Sequence, residues 1–162
     1  MNNGIFVLLG SNQGTPLNKL AMAASKIESG AGKILVRSSI YKTAAWGLTE
    51  QPDFYNQLLR IQSNYPADVL LKKFLKIEQA MGRERLQKWG PRVIDIDILF
   101  YGQEIWNTPE LKIPHDGIAE RRFALVPLTE IAGEWQHPVM KKTMTELLDQ
   151  CEDRLAVTKC EL

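Results

Sequence analysis

The nine residues Val93-Ile94-Asp95-Ile96-Asp97-Ile98-Leu99-Phe100-Tyr101 restrict this chain more than any other stretch. β-Branched and aromatic side chains dominate them, Gly90-Pro91 stand before and Gly102 after, so they read as a strand. Side chains alternate across a strand. One face then carries Ile94, Ile96, Ile98 and Phe100, and it must be covered by other apolar elements. The opposite face carries Val93, Asp95, Asp97, Leu99 and Tyr101. Its two carboxylates sit roughly 7 Å apart at their backbones, and rotation brings their oxygens closer.

Two like charges on a half-desolvated surface need compensation. A raised pKa, pairing with arginine, or a divalent cation each supply it. Just upstream lie Arg83, Arg85, Lys88 and Arg92, against only Glu84. A cationic stretch leading into an anionic face suits a metal-bound polyphosphate: carboxylates hold the cation and arginines hold the remaining phosphate charge. Simple pairing of Asp95 and Asp97 with neighbouring arginines is the competing reading.

With 162 residues the chain is long enough for one domain with a full core, and residues 1–162 are expected to form one. Its 44% hydrophobic and 24% charged content is that of a soluble globular protein. A net charge of +1 gives no global footprint for nucleic acid. No apolar run reaches the roughly 18 residues of a membrane span, and the N-terminus lacks the basic and apolar regions of a signal peptide. Cys151 and Cys160 form neither a metal cluster nor a disulfide framework. A cytoplasmic location is expected, without nucleic-acid or membrane partners and as a monomer.

Residues 5–9 read as a buried first strand closed by Gly10-Ser11-Asn12, a strand-to-helix turn when taken alone. Thr15 with Pro16 opens a helix whose apolar positions are Leu17, Leu20, Ala21, Ala24 and Ile27. There is no Walker A sequence and no dinucleotide fingerprint. Residues 33–41 read as a second strand, and 43–52 as a long connection holding Trp46, which either caps a binding loop or tucks the loop onto the core. Residues 54–63 read as a third strand with Phe54, Asn56, Leu58 and Arg60 on one face. Phe54 and Asn56 side by side suit a flat heterocycle, by stacking and edge recognition, or simply pack across strands.

Residues 66–81 read as a second helix with the stripe Leu70, Phe74, Ile77 and Met81, stopped by Gly82. Glu78 in its last turn opposes the helix dipole; it either pairs with lysines or faces a ligand. After the central strand, residues 104–106 read as a short edge strand, and 108–114 as extended chain leading to His115. Residues 119–131 have helical spacing, with Pro127 set to kink or restart the helix. Arg121 and Arg122 lie at its start. Thr143-Met144-Thr145-Glu146 is a capping box for a last short helix, and residues from Cys151 onward look peripheral.

The order β-α-β-β-α-β through Tyr101 is the ferredoxin-like plan, an α+β fold with two helices on one face of an antiparallel sheet and C-terminal additions. The face with Asp95 and Asp97 is then expected to be open, with Phe54 and Asn56 sharing it.

At these residues the chain resembles the 6-hydroxymethyl-7,8-dihydropterin pyrophosphokinases of folate biosynthesis. Lys88-Trp89-Gly90-Pro91-Arg92-x-x-Asp95-Ile96-Asp97-Ile98-Leu99 is similar to the family signature, and Leu9-Gly10-Ser11-Asn12 to its N-terminal motif. Gln51-Pro52-Asp53-Phe54-x-Asn56, Ile113-Pro114-His115 and Arg121-x-Phe123 match in the same order. The resemblance implies transfer of diphosphate from ATP to the pterin hydroxymethyl oxygen, with AMP released and two Mg²⁺ ions. It implies Asp95 and Asp97 as metal ligands and, with Arg83 and Arg92, as the catalytic group. Glu78, Arg85, Trp89, Ile98, His115 and Arg121 would bind ATP. Thr43, Trp46, Phe54, Asn56, Asp95 and Phe123 would bind the pterin. Residues 43–52 and 82–91 would be lids.

Asp116 and Gly117 follow His115 where the family commonly has Tyr or a Pro-Arg pair, and Glu110, Lys112 and Leu75 are further departures. A nucleotide or pterin sensor without turnover, and a ferredoxin-like RNA-binding module, are the alternatives from other functional classes. Carboxylates on the open face oppose the latter.

Overall fold

The computed structural model describes residues 2–44, 51–82 and 93–161. Strand β1 (Asn2–Ser11) leads into helix α1 (Pro16–Gly30). Strands β2 (Lys33–Arg37), β3 (Tyr41–Thr43) and β4 (Phe54–Ser63) follow. Helix α2 (Ala67–Ala80) comes next, then β5 (Asp95–Tyr101). The order across the sheet is β5-β1-β4-β3, with β2 also paired to β4, and every pairing is antiparallel. This is the ferredoxin-like arrangement. The expected second strand is interrupted at residues 38–40, where Ser38 turns its hydroxyl back to accept from the Leu58 N–H at 2.8 Å.

Helices α1 and α2 cover one sheet face. Leu20, Ala23, Ala24 and Ile27 of α1 and Leu70 and Phe74 of α2 pack on Ile5, Val7, Leu9, Ile94, Ile96 and Ile98. Leu17 and Ala21 fall outside the buried stripe of α1, which begins one turn later than the spacing suggests. Burial of a side chain such as Phe74, fully enclosed here, contributes about 1.5–3 kcal/mol.

Phe100 departs from the expected alternation. Val7 opposes Ile98 but Phe6 opposes Phe100, so β5 carries one extra residue at Leu99. An extra residue reverses the side-chain alternation beyond it. Phe100 therefore joins Leu99 on the second face, in edge contact with Phe6, Trp135 and His137. Tyr101 passes to the helix side and donates its hydroxyl to the Tyr65 carbonyl.

The second face is not open along its whole length. A short ribbon, β6 (Trp106–Asn107) with β7 (Lys112–Ile113), leads through a 3₁₀ turn (Ile118–Glu120) into α3 (Arg122–Ala132) and α4 (Met144–Gln150). Ala124, Leu125, Leu128, Met144 and Leu147 pack on Phe6, Leu8, Leu58, Leu99 and Phe100. Helix α3 runs through Pro127 without stopping. The capping box at Thr143 and Glu146 forms as its sequence implies. The terminal residues do more than decorate the surface: β8 (Val157–Lys159) pairs with β3 and extends the sheet. Gly10, Asn56 and Asp95 lie beyond this packed part of the second face, toward the far ends of their strands.

Candidate active site

Register builds the site. Gly10 of β1 is opposed by Asn56 on one side and by Asp95 on the other. Directly opposed residues point to the same face. Asn56, Gly10 and Asp95 thus form one row across β4, β1 and β5, and Tyr41 extends it onto β3. The next row holds Leu58, Leu8 and Asp97. Asp95 and Asp97 are both half-buried, beside an apolar floor that α3 and α4 close off.

Gly10 supplies the gap in that row. A Cβ there would lie 2.7 Å from Asn56 Nδ2. Into this space the buried Asn56 amide turns and donates to the Leu9 carbonyl at 3.2 Å. The Thr43 hydroxyl donates to Asn56 Oδ1 at 3.5 Å. These bonds fix which way the amide points, while an amide group retains a second donor hydrogen and a second acceptor lone pair for a ligand. Phe54 lies two residues before Asn56 and faces the same way, half-buried. Phe123, also half-buried, packs at the edge of the α3–α4 core, with the Arg121 guanidinium 5.9 Å from its ring centre.

The outer edge of β5 is finished by side chains and backbone from elsewhere. Glu78, buried on the inner face of α2, accepts from the Ile96 N–H at 2.7 Å. Its helical position, one turn after Phe74, places it in the apolar stripe rather than on a lysine-bearing surface. The His115 N–H donates to the Leu99 carbonyl at 3.0 Å, which sets His115 beside the strand two residues beyond Asp97. Its Nδ1 donates to the Asp116 carbonyl at 2.6 Å, which fixes the orientation of the ring. Gly117, with φ of +83°, lets Arg121 lie against it: a Cβ would sit 3.2 Å from the arginine Nε. The departure from the family pattern at Gly117 therefore makes room for Arg121.

Ile98 is 4% exposed and lies under α1 and α2. Its side chain faces away from Asp97, so only its backbone is placed to touch a ligand on β5. Arg83, Arg85, Trp89 and Arg92 of the cationic stretch, and Trp46 of the long connection, lie outside the described residues.

The motif Leu9-Gly10-Ser11-Asn12 carries more than the turn it suggests in isolation. Ser11 and Asn12 are 0% and 2% exposed. Ser11 Oγ donates to the Val93 carbonyl at 2.5 Å. Asn12 Nδ2 donates to Gln51 Oε1 at 2.8 Å and to the Pro52 carbonyl at 3.0 Å. Two small polar residues ending an all-apolar strand were the available signal. On the opposite side of the sheet a groove of about 910 Å³ runs past Asn12, Thr15, Lys42, Asp53 and Tyr55; it is behind the row of Asn56 and Asp95, not over it.

A second cluster has no sequence signature. Glu130 of α3 accepts from the Ser39 N–H at 2.8 Å, the Ser39 hydroxyl at 2.6 Å and the Tyr41 hydroxyl at 3.1 Å. Burial pushes the Glu130 carboxyl up, but these bonds and Lys159 outweigh it and hold the group below its ordinary value. Burial and the Glu130 charge push Tyr41 up to about 12. Tyr41 thereby braces the end of the row that contains Asn56.

The donor set fits a hard divalent cation. Among the described residues no three acidic, histidine or cysteine side chains converge as a ready-made cage. Mg²⁺ does not need one, since it is held by one or two carboxylates and completes its shell with water and phosphate oxygens. Half-buried Asp95 and Asp97 on one face are such a pair.

The family model described as 7,8-dihydro-6-hydroxymethylpterin-pyrophosphokinase (HPPK) matches residues 6–133. A 2-amino-4-hydroxy-6-hydroxymethyldihydropteridine pyrophosphokinase of Synechocystis is 40% identical over 151 residues, covering 93% of this chain and 77% of the relative. One of the same name from Haemophilus influenzae is 39% identical over 149 residues, covering 91% and 92%. In fold the chain is similar to an HPPK-DHPS crystallised with substrates, with a TM-score of 0.75 at 16% identity over 93% of this chain; it spans 43% of that longer protein. Extent and identity together place this chain in the 7,8-dihydro-6-hydroxymethylpterin-pyrophosphokinase family.

Proposed function

We propose that this chain carries out its family's reaction. The hydroxymethyl oxygen of 6-hydroxymethyl-7,8-dihydropterin attacks the β-phosphorus of ATP. The bond from that phosphorus to the oxygen bridging to the α-phosphate breaks, and AMP leaves. The observation that carries this reading is the row Asn56–Gly10–Asp95, which sets an oriented amide and a carboxylate on one sheet face with a side-chain-free residue between them. A flat heterocycle would lie along that row, its edge at the amide and its reacting end toward the carboxylate.

Phe54 and Phe123 would sandwich the pterin ring, and Asn56 with Thr43 would read its edge. Asp95 and Asp97 would hold Mg²⁺, which when bound neutralises phosphate charge and polarises the attacking hydroxyl. His115 and Arg121, with Glu78 and the backbone of Ile98, would border the nucleotide. Arg83, Arg85, Trp89, Arg92 and Trp46 belong to the same proposal by resemblance alone. Transfer through a loose transition state asks mainly for alignment and charge neutralisation, so no nucleophilic serine or cysteine is needed. Water excluded from the site is water that does not compete for the phosphorus.

The deciding assay mixes the protein with Mg²⁺, ATP and the hydroxymethyl-dihydropterin. AMP and pterin diphosphate should form in equal amounts, without ADP. Tight binding of both ligands with no AMP formed would identify a sensor and overturn the enzymatic reading.

A further inference from the structure

We propose that Ser11 and Asn12 are positioning residues that hold the two halves of this site in register: Ser11 the carboxylate strand, Asn12 the aromatic–amide strand. This rests on the site reading above. Buried polar side chains must find partners, and these two find theirs at the entrances of different strands. Ser11 binds Val93, two residues before Asp95; Asn12 binds Pro52, two residues before Phe54 and four before Asn56.

Backbone pairing alone does not supply this restraint. The β1–β5 ladder ends at Gly10–Asp95 and the β1–β4 ladder at Ser11–Tyr55. Val93 and Pro52 lie beyond the last rungs. The Ser11 and Asn12 side chains reach two residues past the last rung on β5 and three past the last rung on β4. Both bonds originate from adjacent residues, the last of β1 and the one after it, and β1 separates the two half-sites. The Ser11 clamp thus acts beside Asp95 and the Asn12 clamp beside Phe54 and Asn56, so the two effects are separable.

The test is a split between ligands. Asn12→Asp keeps the shape of the side chain but cannot donate to Gln51 Oε1 or to the Pro52 carbonyl. It should raise the KM for the pterin, at saturating Mg-ATP, by about tenfold or more, because small misplacements of contact groups are costly. Its Kd for a non-hydrolysable Mg-ATP analogue, by calorimetry, should stay within about twofold of the parent. Ser11→Ala should do the reverse, weakening the nucleotide analogue and lowering kcat by about tenfold while the pterin KM moves little. Should the buried variants fold poorly by circular dichroism, Gln51→Ala at its half-exposed position tests the same bond and should reproduce part of the pterin effect.

A purely structural role predicts something else: lower melting temperatures with both ligands bound as in the parent, or both weakened equally. Either result overturns the proposal. Asn56→Ala and Asp97→Ala are measured alongside. If they leave pterin KM and turnover unchanged, the site reading falls and the clamps with it. If they act as expected but the Ser11 and Asn12 variants show no split, only the clamps fall.

Discussion

Gly10 and Asn56 are packed so closely that a methyl group on one would lie 2.7 Å from the amide nitrogen of the other. Asn56 could yield only by leaving the Leu9 carbonyl, its hydrogen-bond acceptor. Gly10→Ala should therefore turn the amide away from its ligand-reading orientation and raise the pterin KM about tenfold, with a stability loss of about 1 kcal/mol. Steady-state kinetics with a thermal melt check both. An unchanged KM would show that the pterin is not read by Asn56 in this rotamer.

Asp97 shares a face with Asp95 above the Leu8–Leu58 row. Asp97→Ala should reduce turnover by about two orders of magnitude or more at saturating Mg²⁺, since charge on the transferring group loses its counterion. The melting temperature should hold or rise slightly, because one of two neighbouring carboxylates is gone. Wild-type turnover in the variant would remove this face from the chemistry.

Glu78 is a buried carboxylate whose visible task is to satisfy the Ile96 N–H at the sheet edge. Glu78→Ala leaves that N–H buried without an acceptor and should destabilise the fold by about 1–3 kcal/mol. Glu78→Gln keeps an acceptor oxygen and should recover part of the loss in urea denaturation. Equal losses in the two variants would mean that the charge, and not the acceptor, matters to the fold.

The Glu130–Ser39–Tyr41 brace gives stability a defined pH dependence. Glu130 has its folded pKa below the ordinary 4.5, so its contribution is present above that value and is lost as pH falls through the folded value. Tyr41 is shifted the other way, up to about 12, so its contribution is present below pH 10 and is lost as pH rises toward 12. His137 is held below 6.5 by burial, and its contribution fades earlier in an acid titration than that of Glu130. Melting temperature followed against pH in Glu130→Gln should lose part of the acid fall below 4.5, with the His137 region intact. An unaltered acid limb would show that the brace does not contribute.

The sequence made the main plan legible because periodicity is local. The span of β4, Phe54–Ser63, coincides with its apolar and aromatic run, and the capping box of α4 stands where Thr143 and Glu146 put it. Asp95 and Asp97 share a face because two is the period of a strand, whatever the tertiary context. Their neighbours Asn56 and Gly10 could not be paired with them from the chain alone, since register is set between strands.

Phe100 shows the limit most clearly. Alternation assigned it to the helix side, and one extra residue opposite β1 turned it to the other. Its ring there meets Trp135 and His137, which arrive from a distant part of the sequence. Glu78 is a second case: the sequence left it between pairing with lysines and facing a ligand, and a strand edge needing an acceptor drew it inward.

Element types, the acidic face and the family signature were thus properties of the sequence, because they depend on neighbours a few residues apart. Which part of the second sheet face α3 and α4 cover, which way Asn56 points, and which strand ends Ser11 and Asn12 hold were decided only in three dimensions. Each of those is a contact between segments distant in sequence, made where a buried polar group had to find its partner.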